Sequence, residues 1–110
     1  MKFTQLGEFE ELVLLVIGSL GSEAYSISIK QALKEHTKRN PSIGALHSAF
    51  NRLEKKGFLE SYEGGATNKR GGRSKRFYTL TAYGRKALDL SYQVRSQLYH
   101  TLPQLGLTNE

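Results

Sequence analysis

The sequence predicts a mainly α-helical protein that carries one small β-hairpin. Two observations support this fold class. Apolar residues recur at helical spacing in four segments of the chain, and two short aromatic segments after Gly57 show the partial alternation of strands. The 110 residues correspond to one domain, and the absence of cysteine excludes disulfides and thiolate metal sites.

The first helix is predicted to begin at Gly7 and to end near Gly18 and Gly21. Acidic residues fill its first turn, where the helix dipole favours them. Its apolar residues lie on one side and are assigned to the core: Phe9, Leu12, Val13, Val16, Ile17 and Leu20. The apolar run in residues 12–20 is too short to cross a membrane and follows acidic residues. We therefore expect a soluble, intracellular protein without a signal peptide or membrane span.

A second helix is predicted over residues 26–38, with Ser26 as its N-cap, and Asn40 and Pro41 end it. One row of this helix holds lysines that either contact phosphates or are simply solvated: Lys30, Lys34 and Lys38. A third helix follows at once, from the N-cap Ser42 to the stop at Gly57. Two helices joined by so short a turn form a helix-turn-helix unit.

The third helix has an apolar stripe and an opposite polar face. The stripe consists of Ile43, Leu46, Ala49, Phe50 and Leu53. The polar face is small near its N-terminus and basic towards its C-terminus, and it consists of Gly44, His47, Ser48, Asn51, Arg52 and Lys55. Small residues followed by hydrogen-bond donors suit a close approach to a nucleic-acid groove. Taken alone, the pattern fits an ordinary amphipathic surface helix equally well.

Residues 58–63 and 75–81 are predicted as two strands, and the segment between them is polar, basic and bounded by glycine. Five cations fall within eight residues: Lys69, Arg70, Arg73, Lys75 and Arg76. A basic hairpin directly after a helix-turn-helix can place arginines on phosphates or in the minor groove, which makes the unit a winged helix. The alternative is an ordinary surface loop.

A last helix is predicted over residues 82–102, capped by Thr81 and ended by Pro103. Its apolar side consists of Ala87, Leu88, Val94, Leu98, Leu102 and Leu105. Since the winged-helix core is complete before it, we expect this side to form an association surface, most simply in a two-fold dimer. The alternative is packing against its own domain. The chain thus divides into a DNA-binding domain at 1–81, a dimerisation helix at 82–106 in the same compact unit, and a tail at 107–110.

Charge and the absence of catalytic groups narrow the function classes. The net charge of +6 indicates a polyanionic partner. The sequence contains no paired acid, nucleophile–base spacing, phosphate loop or metal-ligand cluster, so we expect neither an enzyme nor a cofactor nor a bound metal. The leading interpretation is a sequence-specific regulator that binds double-stranded DNA. Two alternatives stay open. One is a protein-interaction adaptor that uses Glu54, Glu60 and Glu63, and the other is a nonspecific architectural DNA-binding protein.

Four segments, in this order, resemble PadR-type transcriptional regulators: LGEFEELVLLVIGSL, AYSISIKQAL, SIGALHSAFNRLEKKGFLES and GGRSKRFYTLTAYGRKAL. The resemblance covers residues 6–90 and points to the short subfamily with a single C-terminal helix. It implies a prokaryotic, cytoplasmic, nucleoid-associated homodimer that binds near-palindromic double-stranded operators and usually represses transcription.

The resemblance also implies roles for individual residues. The third helix would face the major groove through Ser42, Gly44, Ala45, His47 and Ser48, and a wing formed by Lys69, Arg70 and Arg73 would contact the backbone or minor groove. The first and last helices would join in the dimer interface, to which we assign Phe9, Leu12, Leu88, Val94, Leu98 and Leu102.

The chain departs from the family pattern at several positions. His47 and Ser48 stand where the family often has tyrosine followed by proline, and Ser26 replaces a glycine. The histidine leaves open whether this position reads a base edge or contacts a phosphate. The chain has no tryptophan, on which some members stack aromatic effectors, and whether an effector binds stays open.

Overall fold

A computed structural model describes residues 6–64 and 75–103 of the chain. Within these residues the fold is mainly helical with one antiparallel two-stranded sheet, as the sequence predicts. A short 3-10 turn, Gly21–Glu23, precedes the second helix. The elements in chain order are α1 (Glu8–Leu20), α2 (Ser26–Thr37), α3 (Ile43–Lys55), β1 (Leu59–Gly64), β2 (Lys75–Leu80) and α4 (Ala82–His100).

One hydrophobic core joins α1, α2, α3 and the hairpin. Phe50 and Phe58 are the largest of its fully buried side chains, and the centre of the Phe50 ring lies 4.2 Å from that of Tyr78 on β2. The predicted apolar stripe of α3 is buried in this core except for Ile43, which is 39% exposed. Because four of its five members are buried, the opposite face of α3 is turned outward.

Two of the three predicted N-caps are confirmed, and one is wrong. The Ser42 hydroxyl accepts a hydrogen bond from the Ala45 amide at 3.0 Å, and Thr81 caps α4 in the same way. The predicted cap Ser26 is instead the first residue of α2. Tyr25 precedes the helix, and its amide donates to the Ser28 hydroxyl at 2.9 Å. The reason is that Tyr25 forms an isolated β-bridge with Phe77, which holds its backbone extended.

The hairpin register places both ends of the basic segment side by side. Leu59 pairs with Leu80 at one end of the sheet, and Gly64 pairs with Lys75 at the other. The two strands therefore bring the chain out of the domain and back into it at adjacent positions. Phe58, predicted as the first strand residue, lies in the core just before β1.

The two halves of α4 have different surroundings. Ala87 and Leu88 in the first half are buried against the domain. Farther along, the Glu11 carboxylate accepts a hydrogen bond from Ser91 at 3.2 Å and pairs with Arg95 at 3.1 Å, which links α4 to α1. From Leu90 to the end of α4 the apolar side chains are exposed. Packing against its own domain, the alternative considered from the sequence, thus applies only to the first half.

None of the helices in the described residues is long and apolar enough to cross a membrane.

Candidate nucleic-acid interface

The outward face of α3 presents every residue that the sequence assigned to it. All eight residues that the sequence places on this polar face or towards the groove are exposed: Ser42, Gly44, Ala45, His47, Ser48, Asn51, Arg52 and Lys55. The first turn is small, since Gly44 and Ala45 add at most a methyl group to the surface. Polar side chains follow within one to two turns, as a helix that enters a DNA groove requires.

A lysine fixes the turn that precedes α3. The Lys30 ammonium donates to the Asn40 side-chain oxygen at 2.9 Å and to the Pro41 carbonyl oxygen at 2.5 Å. This lysine therefore holds the helix-turn-helix together and does not belong to a solvated row. Lys34 and Lys38, the other members of that row, are exposed.

His47 is exposed, yet its ring contacts two other residues. Its Nε2 atom lies 3.3 Å from the hydroxyl of Ser26 at the start of α2. The ring also packs edge to face with the buried Phe50, at a centroid distance of 5.4 Å. The neighbouring Ser48 and Asn51 are exposed on the same face.

Arg52, at the C-terminal end of the face, is tied to α1 by a carboxylate that sequence reasoning did not single out. Glu10 is 5% exposed and accepts from Arg52 Nε at 2.9 Å, from Lys56 Nζ at 2.8 Å and from the Gly7 amide at 2.9 Å. The spacing of Glu10 three residues after the N-cap Gly7 is a local signal for the last of these contacts. The two cation contacts span more than forty residues of sequence and have no such signal.

The contacts of Glu10 set its pKa. Desolvation by burial raises the pKa, but the hydrogen bonds from Lys56, Gly7 and Arg52 and the charge of Lys56 lower it by more, to about 2 from 4.5. Glu10 is therefore ionised at neutral pH. As a result, Arg52 has a fixed position on α3 although its side chain is half exposed.

The two described cations of the predicted wing are held at the loop end of the hairpin, where Gly64 pairs with Lys75. The Lys75 ammonium lies 4.1 Å from the centre of the Tyr25 ring, a cation–π contact. Arg76 donates to the Ser61 hydroxyl at 2.9 Å and pairs with Glu63 at 3.4 Å. The other three predicted wing cations, Lys69, Arg70 and Arg73, lie outside the described residues.

The start of α2 connects α3 to the hairpin. Ser26 contacts His47 on α3, and the preceding Tyr25 contacts both Lys75 and Phe77 on β2. The Tyr25 and Phe77 rings meet edge to face at a centroid distance of 5.6 Å. Residues far apart in the sequence are thus fixed relative to one another on one side of the domain.

Some residues of the predicted association surface are buried in their own chain, and others are exposed. Leu88 is 7% exposed and packs in the core of its own chain, so it has little surface to offer a partner. Phe9 and Leu12 on α1 are partly buried against the same core. The far half of α4 exposes Tyr92, Val94, Leu98 and Tyr99, and Leu102 is exposed just after the helix.

No group of three or more histidine or acidic side chains in residues 6–64 and 75–103 is arranged to hold a metal ion.

Comparison with known proteins identifies the family. The model of the PadR-like family of transcriptional regulators matches residues 13–90. Among solved structures, a PadR-like transcription factor from Bacteroides fragilis is 26% identical, with 84% of each chain covered and a TM-score of 0.71. A PadR family regulator from Clostridium difficile is 20% identical, with 86% of this chain and 94% of that chain covered and a TM-score of 0.72.

A PadR-like regulator from Bacillus cereus is 22% identical, with 93% of each chain covered and a TM-score of 0.66. No curated protein matches the chain. The family match covers well over half of the sequence, and the solved structures share the winged-helix fold seen here. The chain belongs to the PadR-like family of transcriptional regulators, which are not enzymes.

Proposed function

We propose that the protein is a homodimeric, sequence-specific regulator that binds near-palindromic double-stranded DNA and represses transcription. The observation that supports this most directly is the face of α3, whose residues are all exposed, small at its start and polar beyond it. A face of this composition, backed by a buried stripe, fits the major groove of a duplex.

Within this proposal the residues of α3 divide into two groups. Gly44 and Ala45 let the backbone of the first turn approach the DNA, while His47, Ser48 and Asn51 present hydrogen-bonding groups to base edges. Arg52 Nε donates to the Glu10 carboxylate. The rest of its guanidinium is left to face a phosphate.

The wing supplies charge rather than sequence preference. Its cations are Lys69, Arg70 and Arg73 together with Lys75 and Arg76, and the last two are held by Tyr25 and Ser61 at the loop end of the two strands. A dimer that neutralises about eight phosphates in total would show a log–log salt dependence with a slope near −7.

Replacement of Arg70 and Arg73 by alanine tests the wing. Affinity for every duplex sequence should fall, and the salt slope should become flatter by about two per wing, because the removed cations no longer displace counterions. Fluorescence anisotropy at several salt concentrations measures both quantities. A matched control replaces Arg85 and Lys86, two exposed cations at the start of α4, and should leave the slope unchanged. An unchanged slope in the wing variant would refute the role of the wing.

Selection from a random duplex pool tests the function as a whole. An enriched dyad-symmetric motif, with half-sites about one helical turn apart and bound well over tenfold more tightly than scrambled DNA, is the expected result. Uniform, salt-sensitive binding without a motif would favour a nonspecific architectural protein. No binding would favour the adaptor, although two of its three proposed acids are engaged: Glu54 accepts from Ser61 at 2.6 Å, and Glu63 pairs with Arg76.

A further inference from the structure

We propose that Ser26 is a positioning residue for DNA recognition: its hydroxyl fixes the imidazole of His47 and so sets the base preference at one position of the operator. This inference rests on the proposed function, because it assumes that α3 enters the major groove. It adds a residue of α2 to a recognition surface that otherwise consists of α3 and the hairpin.

Two contacts hold the His47 ring. The Ser26 hydroxyl lies 3.3 Å from Nε2, and the edge-to-face contact with Phe50 constrains the orientation of the ring plane. Neither neighbour can move freely. Ser26 is the first residue of α2, and Phe50 is 1% exposed and packs on Tyr78. An exposed histidine without such contacts samples several rotamers, whereas this one is held before DNA arrives.

The contact also decides which ring nitrogen remains for the DNA. Nε2 is engaged by Ser26, and among the residues that the structure describes Nδ1 has no hydrogen-bond partner. A serine hydroxyl can donate or accept, so it tolerates either tautomer of the ring. Protonated Nδ1 reads an acceptor such as guanine N7 or O6, and unprotonated Nδ1 reads a donor such as cytosine N4. Without Ser26 either nitrogen could turn to the base, and discrimination at that base pair would fall.

The first experiment selects bound sequences from a random duplex pool with wild type and with His47→Ala, which locates the base pair that depends on His47. Binding of Ser26→Ala is then measured on the selected operator and on duplexes altered at that pair. Discrimination at this pair should fall about threefold to tenfold, the size of one lost hydrogen bond. Ser26→Ala added to His47→Ala should cause no further loss, because the hydroxyl acts through the ring.

Two control variants separate positioning from general damage. Ser26→Thr keeps a hydroxyl and should retain the wild-type preference. Ser22→Ala removes an exposed hydroxyl from the turn before α2 and should change nothing. Equal weakening of all duplexes by Ser26→Ala would mean that Ser26 contacts a phosphate directly, and this would overturn the proposal. A change at a different base pair, or no change, would overturn it as well.

A measurement on the free protein tests the contact without DNA. The ¹⁵N resonances of the His47 imidazole should shift in Ser26→Ala and stay in place in Ser22→Ala. Unchanged resonances in Ser26→Ala would refute the positioning role even if the operator were found. If wild type selected no motif, the proposed function would fail, and this inference would fail with it whatever the resonances showed. If wild type selected a motif but Ser26→Ala behaved as wild type, only this inference would fail. The two failures can therefore be told apart.

Discussion

At the scale of single residues, Glu10 shows how one buried carboxylate holds Arg52, a side chain that we propose faces DNA. It is the one charged residue in residues 6–64 and 75–103 that is buried, and it joins the start of α1 to the C-terminal end of α3 through Arg52 and Lys56. Burial of an ion is costly unless its hydrogen bonds are satisfied, and here three donors surround it. The arrangement ties the orientation of α3 to α1, the helix that we also assign to the dimer interface.

The lowered pKa of Glu10 predicts a pH dependence of stability. Because the folded-state value is about 2 and the ordinary value is 4.5, the contribution is complete above pH 4.5 and is lost as the pH falls towards 2. The free energy of unfolding should decrease by up to about 3 kcal/mol over this range. Urea denaturation at a series of pH values measures it.

Glu10→Gln should remove most of that pH dependence and lower the free energy of unfolding at pH 7 by about 2 kcal/mol. Glu8→Gln is the matched control, because Glu8 makes an exposed pair with Arg39 at 2.7 Å. Glu8→Gln should lower the free energy of unfolding by well under about 1 kcal/mol and leave its pH dependence as in wild type. The same pH profile in Glu10→Gln as in wild type would contradict the assignment.

At the scale of elements, the position of α4 depends on a glycine. A Cβ atom added at Gly84 would lie 2.3 Å from the carbonyl oxygen of Phe58 and 2.9 Å from a methyl carbon of Leu80. The Thr81 hydroxyl, which caps α4, also donates to the Gly57 carbonyl at 2.8 Å. The helix thus begins in direct contact with the backbone before β1, and no side chain fits between them.

Gly84→Ala should therefore lower the free energy of unfolding by more than about 2 kcal/mol, since backbone atoms would have to move. Gly44→Ala is the matched control in another helix. There the nearest atom to an added Cβ is the Ser42 hydroxyl at 3.9 Å, and stability should rise by up to about 1 kcal/mol. If the proposed function holds, Gly44→Ala should still weaken operator binding, because the methyl group stands on the face of α3. Chemical denaturation and anisotropy titration measure the two effects.

At the scale of the whole molecule, the far half of α4 and the residues just after it expose large apolar side chains. Leu98 is 64% exposed and Leu102 is 61% exposed, next to the exposed Tyr99. Apolar surface of this extent at the end of a helix fits association with a second copy, and two-fold symmetry would present two α3 helices to one side of a duplex.

Leu98→Glu should shift the protein from dimer to monomer in light scattering and leave the fold of each protomer intact, because Leu98 lies outside the core. Operator affinity should fall more than tenfold, since the linked second half-site is lost. Gln97→Glu introduces a similar negative charge at the neighbouring exposed position. It should neither dissociate the dimer nor weaken operator binding. A Leu98→Glu protein that remained dimeric would place the interface elsewhere.

Much of the fold is predictable from the sequence because it depends on local spacing. The four helices, the hairpin, the caps Ser42 and Thr81 and the outward face of α3 follow from helical periodicity and short-range hydrogen bonds. The wrong cap at Ser26 shows the limit of such reasoning. Serines stand at both 26 and 28, and the bridge between Tyr25 and Phe77 decides which residue opens the helix.

The sequence by itself determined the elements, the polar face of α3 and the family, because these depend on residues a few positions apart. Tertiary structure alone decided how they are held together. Lys30 secures the turn, Glu10 secures Arg52, and α4 packs along only half of its length. Ser26 and His47, both departures from the family pattern, are neighbours only in the fold. The physical reason is that hydrogen bonds and packing depend on the distance between atoms in space. Spacing along the sequence does not specify that distance for residues far apart in the chain.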